Sequence, residues 1–271
     1  MCSSLSSALS PSTVVTRLRA AGCVFAEDEA ELLISAAQSP DALAAMVERR
    51  VVGLPLEHVI GWAEFCGLRI AVDAGVFVPR RRTEFLVAEA AALARPGAVV
   101  VDLCCGSGAL GAALATALEG AELHAADIDP AAVRCARRNV GAVDGQVYEG
   151  DLYEPLPDAL RGRVDVLLAN TPYVPTEEIG LLPAEARIHE ARVALDGGLD
   201  GLDVQRRVAA AAAQWLAPGG HLLVETSERQ APVTVETFAG NGLIPRVVTS
   251  DELYATVVVG TRPAGDPHAP E

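Results

Sequence analysis

Residues 99–108 have the sequence VVVDLCCGSG, an apolar run that passes directly into a glycine turn. The run predicts a buried strand, and the alanine-rich residues 109–118 after it predict a helix. A strand, a glycine turn and a helix in this order are typical of α/β folds that bind nucleotide-like cofactors. We expect Gly106 and Gly108 to let the backbone approach such a ligand closely. The turn alone fits a purely structural connection equally well.

Apolar runs alternate with alanine- and leucine-rich helical stretches around this turn. We predict strands at residues 98–103, 122–126, 164–169 and 221–225. Such alternation indicates a mostly parallel sheet that is covered by helices on both faces. Two more apolar runs, at 243–249 and 254–261, are joined only by a short Ser-Asp-Glu turn, so they must pair antiparallel. The predicted fold class is α/β with an antiparallel last strand.

The chain before residue 83 has a different pattern. Apolar residues recur at helical spacing through residues 12–52, which predicts a small helical N-terminal domain over residues 1–58. The period then shortens toward two, so we assign residues 59–82 to a hairpin linker. We assign residues 83–262 to the catalytic domain, and the Pro- and Gly-rich residues 263–271 to a disordered tail.

The composition narrows the classes of partner. The formal net charge of −15 opposes non-specific binding to nucleic acid, which depends on clustered Lys and Arg. No apolar stretch approaches the roughly 20 residues that span a bilayer, and residues 1–13 lack the basic start of a secretory signal. We therefore expect a cytoplasmic protein without a membrane partner. The six cysteines form no C-x-x-C pair, so we expect reduced thiols and no metal site.

An acidic residue follows the second predicted strand of the sheet. Asp127 lies about 20 residues past the glycines, where a carboxylate can accept hydrogen bonds from both hydroxyls of a ribose. We interpret the spacing as lacking the third glycine of G-x-G-x-x-G, because the helix up to Gly111 is already alanine-rich, and we therefore favour a methyltransferase over a dinucleotide-dependent dehydrogenase. The cofactor of such an enzyme would be S-adenosylmethionine. Asp102 either faces the methionine end of this cofactor or caps the loop. Asp151 either approaches its adenine or belongs to a plain turn. The other candidate cofactor residues at these strand ends are Cys104, Ile128 and Leu152.

The turn Asn170-Thr171-Pro172-Tyr173 follows another strand, at the edge of the sheet where open α/β folds bind ligands. An amide nitrogen is a poor nucleophile, so it must be oriented toward the methyl group. The side-chain oxygen of Asn170 and a backbone carbonyl at Asn170 or Thr171 would each accept one N–H of an NH₂ group. Tyr173 would stack on the planar acceptor. The same residues also fit a common proline-containing turn.

With these residues in hand, the chain resembles the HemK-type protein-(glutamine-N5) methyltransferases from about Pro55 to Gly260. Besides the glycine turn, the resemblance rests on Gly61, Phe65, Gly67, Val72, VPR at 78–80, TEFLV at 83–87, Glu190, AL at 194–195, GGLDGL at 197–202, PGG at 218–220 and Glu225. It implies a Rossmann-like sheet of about seven strands that binds S-adenosylmethionine, with Arg80, Thr83 and Asn170 also near the cofactor. It further implies a helical domain that helps to hold a protein substrate presenting a glutamine, in a release factor, a ribosomal protein or an unknown protein.

Two motifs depart from the family's pattern. The family's N-P-P-Y is N-T-P-Y here, and a residue before proline is already extended, so Thr171 can keep the same carbonyl position. The family's R-P-E-T-E is RRRTE at residues 80–84, which suits either an acidic substrate or a solvated charge run. Two alternatives stay open: methylation of an exocyclic amino group of a nucleobase, and a binding protein without turnover.

Overall fold

The computed structural model describes residues 9–264, and its first helices form a small domain with a core of its own. The helices are α1 (Pro11–Ala20), α2 (Ala26–Ala36), α3 (Pro40–Val51) and α4 (Leu56–Ile60). Ser10 and Ser39 cap α1 and α3, each by accepting a hydrogen bond from a backbone N–H three residues later. The apolar faces of these helices meet in a common core that includes Val14, Leu18 and Leu33, none of which is exposed. The helical N-terminal unit is therefore present as predicted.

A hairpin follows the helical domain. Strands β1 (Trp62–Phe65) and β2 (Leu68–Ala71) pair antiparallel. A loop then leads to a 3-10 helix, Arg81–Thr83, which opens α5 (Glu84–Leu93). Asn139 holds the end of the hairpin, because its side-chain oxygen accepts from Ala71 N at 2.9 Å and its amide donates to Ala71 O at 2.9 Å. The hairpin is thereby fixed to the larger domain.

The larger domain contains a seven-stranded sheet, which confirms the fold class. Its strands are β3 (Val99–Leu103), β4 (Glu122–Asp127), β5 (Gln146–Glu149), β6 (Val164–Ala169), β7 (Leu216–Thr226), β8 (Ile244–Ser250) and β9 (Ala255–Thr261). The strand order is β5-β4-β3-β6-β7-β9-β8, and β9 pairs antiparallel with both of its neighbours. The order reverses between β3 and β6, so the carboxyl ends of β3, β4 and β6 frame a crevice.

Helices cover both faces of this sheet. They are α5, α6 (Ala109–Ala117), α7 (Pro130–Gly141), α9 (Asp203–Trp215) and α10 (Ala231–Gly240), while the short helix α8 (Ala184–His189) lies in the segment between β6 and α9. Successive residues of β3 alternate between two cores, with Val100 in one and Val101 in the other. Every residue of β3 is buried, which explains its continuous apolar run.

The domain boundaries drawn from the sequence stay a prediction, and most of the predicted tail, residues 265–271, lies outside the described residues. Over the described range of 9–264, none of the helices has the length and apolar character needed to cross a bilayer.

Candidate active site

A cavity of about 790 Å³ opens at the carboxyl ends of β3, β4 and β6. The turn after β3 and the end of β4 form one side of it, and the turn after β6 forms another. The linker before the 3-10 helix and the segment around α8 complete the wall. The cavity therefore lies where the reversed strand order predicts a ligand site.

The glycine turn after β3 contributes backbone to the cavity wall. Cys104 and Gly106 line the cavity, and Cys104 has a positive φ of 54°, which is unusual for a residue with a side chain. Gly108 is not among the lining residues. A Cβ at Gly108 would lie 2.7 Å from Val140 Cγ2 of α7. This glycine therefore serves close packing between loop and helix, and its close approach to a ligand stays a prediction.

Asp127 ends β4 and faces the cavity. One carboxylate oxygen accepts from Gly106 N at 2.8 Å and the other from Asp129 N at 2.9 Å. Burial raises the pKa of Asp127, and these two N–H groups act against the rise. Each oxygen keeps a second lone pair, so the carboxylate can still accept from ribose hydroxyls. Ile128, which is half exposed, lines the cavity beside it.

The adenine candidates also lie at the cavity. Asp151 and Leu152 both line it, and Leu152 has a positive φ of 49°. Asp151 is joined to Arg207 of α9, whose Nη2 lies 2.6 Å from the carboxylate. Arg207 lines the cavity too, and the sequence contains no signal for it, because its partner lies 56 residues earlier in the chain.

Asp102 lies behind the glycine turn and is not among the cavity-lining residues. Its carboxylate is buried and accepts from Gly111 N at 2.9 Å, at the start of α6. Burial raises the pKa of Asp102 to about 7, although the bond from Gly111 lowers it. The observed geometry matches the capping role, whereas contact with the methionine end stays a prediction.

The prediction that the third glycine of G-x-G-x-x-G is missing was wrong. Gly111 completes the spacing G-x-G-x-x-G with Gly106 and Gly108, so that spacing does not separate a methyltransferase from a dehydrogenase. The structural reason for glycine at this position is contact with β3, since a Cβ there would lie 3.0 Å from Oδ2 of Asp102.

The two linker residues assigned to the cofactor lie differently. Arg80 lines the cavity, but its Nη2 lies 2.6 Å and 2.7 Å from the two carboxylate oxygens of Glu190. Thr83 is fully buried and is not among the lining residues. Phe77 lines the cavity beneath the Arg80 guanidinium, 4.9 Å from ring centre to Cζ. No sequence motif predicted a role for Phe77, although this residue directly precedes the VPR motif.

All four residues of the turn after β6 line the cavity. Among the described residues, Oδ1 of Asn170 and Oγ1 of Thr171 are buried without a hydrogen-bond partner. Such unpaired polar atoms are costly and need an explanation, of which a ligand is one. The carbonyls of Asn170 and Thr171 lie past the last residue of β6, beyond the ladder of the sheet.

A glycine-rich segment supports the backbone of this turn. A Cβ at Gly197 would lie 2.6 Å from Pro172 O, and one at Gly201 would lie 2.2 Å from Tyr173 O. The amide of Gln230 also donates to Tyr173 O at 3.0 Å. The GGLDGL motif is therefore explained by close backbone packing against the turn after β6.

The side chain of Tyr173 is held separately from its backbone. Its hydroxyl donates to Glu225 Oε1 at 3.1 Å and is itself contacted by Arg82 Nη2. Burial and the negative charge of Glu225 raise the pKa of Tyr173 above its ordinary value. The phenol is therefore neutral at physiological pH and acts as a fixed wall of the cavity.

Comparisons with known proteins identify related methyltransferases. Residues 67–202 match the family described as Methyltransferase small domain. A release factor glutamine methyltransferase of Geobacter sulfurreducens is 39% identical over 83% of this chain and 80% of its own length. A 4-amino-L-phenylalanine/4-methylamino-L-phenylalanine methyltransferase of Streptomyces pristinaespiralis is 35% identical over 84% of this chain and 80% of its own length.

The fold is shared with a solved methyltransferase of Pyrococcus furiosus, which has a TM-score of 0.56 and 17% identity, covering 73% of this chain and 90% of that one. The sheet order, the site at its reversal point and the sequence relatives agree with each other. The chain belongs to the HemK-type family of S-adenosylmethionine-dependent protein-(glutamine-N5) methyltransferases.

Proposed function

We propose that this protein methylates the side-chain amide nitrogen of a glutamine in a translational release factor. The observation that carries the proposal is Asn170, whose side-chain oxygen is buried at the cavity without a partner among the described residues. A primary amide has two N–H groups and would satisfy this acceptor. The relative from Geobacter sulfurreducens supports a release factor as the protein that presents the glutamine.

The residues of the cavity fit S-adenosylmethionine, the methyl donor of the family. Asp127 has lone pairs free for the ribose hydroxyls, and Ile128 and Leu152 are apolar groups beside them. Asp151 is fixed by Arg207 at the same edge. When bound, the cofactor supplies an electrophilic methyl group on a sulfonium. The turn Asn170-Thr171-Pro172-Tyr173, which we call the acceptor turn, borders the same cavity, so this chain can bring both reactants together.

The acceptor turn would orient the amide nitrogen. The Oδ1 of Asn170 and the carbonyl of Thr171 each accept one N–H. These two bonds fix the plane of the amide, so that one face of the nitrogen is directed toward the methyl group. Both oxygens also stabilise the positive charge that develops on nitrogen as the N–C bond forms and the C–S bond breaks. The methylated nitrogen then releases one proton to water. Glu190 is not free to act as the base, because Arg80 already occupies both of its oxygens.

A free aromatic amine is the second candidate acceptor. It is favoured by the relative from Streptomyces pristinaespiralis, which is named for a 4-aminophenylalanine substrate. Thr171 also replaces the proline of the family's pattern and adds a buried, unpaired hydroxyl next to the acceptor position, within the part of the chain that the structure describes. An aromatic amine would use the same turn, since it too carries a planar NH₂ group.

One experiment separates these candidates. The purified protein is incubated with S-adenosylmethionine and either a release factor, 4-amino-L-phenylalanine or total RNA, and the products are analysed by mass spectrometry. We expect one methyl group on a glutamine of the release factor and none on the other two. Methylation of the free amine alone would overturn the protein-substrate proposal. Methylation of the RNA would support the nucleobase alternative.

A further inference from the structure

Arg82 departs from the family's pattern, in which the third position of R-P-E-T-E is a glutamate. The structure gives this arginine two partners at the acceptor side of the cavity. Its Nε donates to Glu225 Oε1 at 3.1 Å, and its Nη2 contacts the hydroxyl of Tyr173. Its guanidinium also lies 5.8 Å from the ring centre of Tyr173. We call these three side chains the Arg82 cluster.

The Arg82 cluster joins three separate elements. Arg82 belongs to the 3-10 helix of the linker, Tyr173 to the turn after β6, and Glu225 to β7. The side chain of Glu225 is only 3% exposed, so its negative charge needs a cation or several donors nearby. Arg82 is the cation, and at 45% exposure it reaches Glu225 from the cavity side.

The cluster fixes the ring of Tyr173 and not its backbone. Gln230 already holds the carbonyl of Tyr173, and the next residue, Val174, donates from its N to Leu195 O at 3.1 Å. The hydroxyl, by contrast, is held only by Glu225 as acceptor and Arg82 as donor within the described part of the chain. Loss of Arg82 would leave the backbone in place and would leave the hydroxyl with a single bond, to Glu225, so the ring would be less firmly held.

We propose that Arg82 is a positioning residue that, with Glu225, fixes the Tyr173 ring as a wall of the acceptor pocket. This rests on the proposed function insofar as the acceptor is a planar amide that packs against this ring. Arg82 acts through Tyr173 and does not bind the methyl donor. It therefore governs how the acceptor is aligned, while the affinity for the cofactor is set elsewhere in the cavity.

The first test is a double-mutant cycle with Arg82→Gln and Tyr173→Phe. A misplaced acceptor commonly loses one to two orders of magnitude in rate, so we expect Arg82→Gln to lower kcat/KM for the acceptor at least about tenfold. In the Tyr173→Phe background, which lacks the hydroxyl, the same change should have an effect below about twofold, because coupled groups are not additive. Equal losses in both backgrounds would overturn the proposal.

The matched control is Arg81→Gln. Arg81 is the neighbouring arginine, it is exposed, and within residues 9–264 it has no ion pair. This variant removes the same charge and should keep its activity. Affinity for S-adenosylmethionine, measured by calorimetry, should be equal in all the single variants. A loss of cofactor affinity in Arg82→Gln alone would contradict a role confined to the acceptor.

The second test needs no acceptor. The protein has four tyrosines, so labelling with 3-fluorotyrosine gives a simple fluorine NMR spectrum, and Tyr173→Phe identifies the Tyr173 resonance. We expect this resonance to move and broaden in Arg82→Gln but not in Arg81→Gln. An unchanged resonance would overturn the proposal. If the wild-type protein methylates no release factor, the proposed function fails, but the spectrum still decides the role of Arg82.

Discussion

At the scale of single residues, the acceptor turn holds the polar atoms whose burial is hardest to explain without a ligand. Asn170 and Thr171 each present a buried oxygen that lacks a partner among the described residues. Leaving such an atom unpaired costs about 1–3 kcal/mol. The cost is understandable if the acceptor substrate satisfies these atoms during the reaction.

We expect Asn170→Ala to abolish most methyl transfer and to leave cofactor affinity nearly unchanged. The lost oxygen orients the acceptor and stabilises its developing charge, and removing one such group typically costs about 10²–10³ in kcat. Turnover with the release factor and calorimetry with S-adenosylmethionine measure the two effects. Comparable turnover in the variant would favour a purely structural turn.

Asp102 gives a second residue-scale prediction, which concerns stability. Its pKa is about 7 in the folded protein, well above the ordinary value of 3.8. Between these values the folded protein holds the proton and the unfolded chain has released it, so raising the pH favours unfolding. Stability should therefore fall between about pH 4 and about pH 7, by at most about 1.4 kcal/mol per pH unit from this group.

The check is urea unfolding of the wild type and of Asp102→Asn at about pH 5 and about pH 7. The amide introduced by this substitution cannot titrate, so the loss of unfolding free energy over this interval should be smaller in the variant. The unfolding free energy of the variant will still depend on pH to some extent, because burial also raises the pKa of Asp127 and of Glu190. Identical pH dependence in both proteins would show that Asp102 is not buried as a titrating group.

Among the helices, strands and turns, the sequence predicted those whose conformation depends on residues close to them in the chain. The continuous apolar run of β3 follows from burial on both faces, and the glycine turn follows from its packing against α7. The edge strand β5, Gln146–Glu149, has no predicted range, because its residues are partly exposed and mixed in polarity. The weak signal of β5 thus reflects its short length and its partly exposed residues of mixed polarity.

The segment between β6 and α9 could not be predicted locally. It consists of two short 3-10 helices, Thr176–Leu181 and Arg192–Ala194, with α8 between them. Long-range contacts hold it, as between Val174 N and Leu195 O at 3.1 Å. The contacts of Arg207 with Asp151 and of Glu225 with Tyr173 could not be predicted for the same reason. Their partners lie 56 and 52 residues away in sequence.

An ion-pair cluster between elements gives the third prediction. Arg50 of α3 is 8% exposed and bonds Glu29 of α2 at 2.6 Å and Glu185 of α8 at 2.6 Å. Arg50→Ala leaves Glu29 with a buried, unpaired charge, so the free energy of unfolding should fall by about 3 kcal/mol. Urea unfolding measures the loss. Arg19→Ala, which removes an exposed pair with Glu27, is the control and should barely move the midpoint.

A loss in Arg50→Ala no larger than in the control would mean that the cluster contributes nothing to stability. The cluster also links the helical domain to the wall of the cavity, because Glu185 is one of the lining residues.

At the scale of the whole molecule, binding of the cofactor and recognition of the protein substrate are expected to be carried by different parts of the chain. Every residue that lines the cavity lies between Val76 and Arg207. The helical domain has its own core and exposes large apolar side chains at Val24, Phe25 and Val52. The family resemblance implies that this helical domain helps to hold the protein substrate, and these side chains are accessible for such a contact.

We therefore expect a chain shortened to residues 59–271 to bind S-adenosylmethionine but to lose methyl transfer to the release factor. All cavity-lining residues remain, so the cofactor Kd should stay within about threefold, less than about 1 kcal/mol. The rate with the protein acceptor should fall at least about a hundredfold, since binding energy from remote contacts is what aligns the reacting group. Calorimetry and methyl transfer, measured on the same sample, separate misfolding from lost recognition, because a misfolded chain loses both. A free glutamine amide, supplied at high concentration, is the control acceptor: the shortened and full-length proteins should methylate it equally slowly. A shortened protein that methylates the release factor at the full-length rate would show that recognition resides in the catalytic domain, and that the helical domain contributes stability alone.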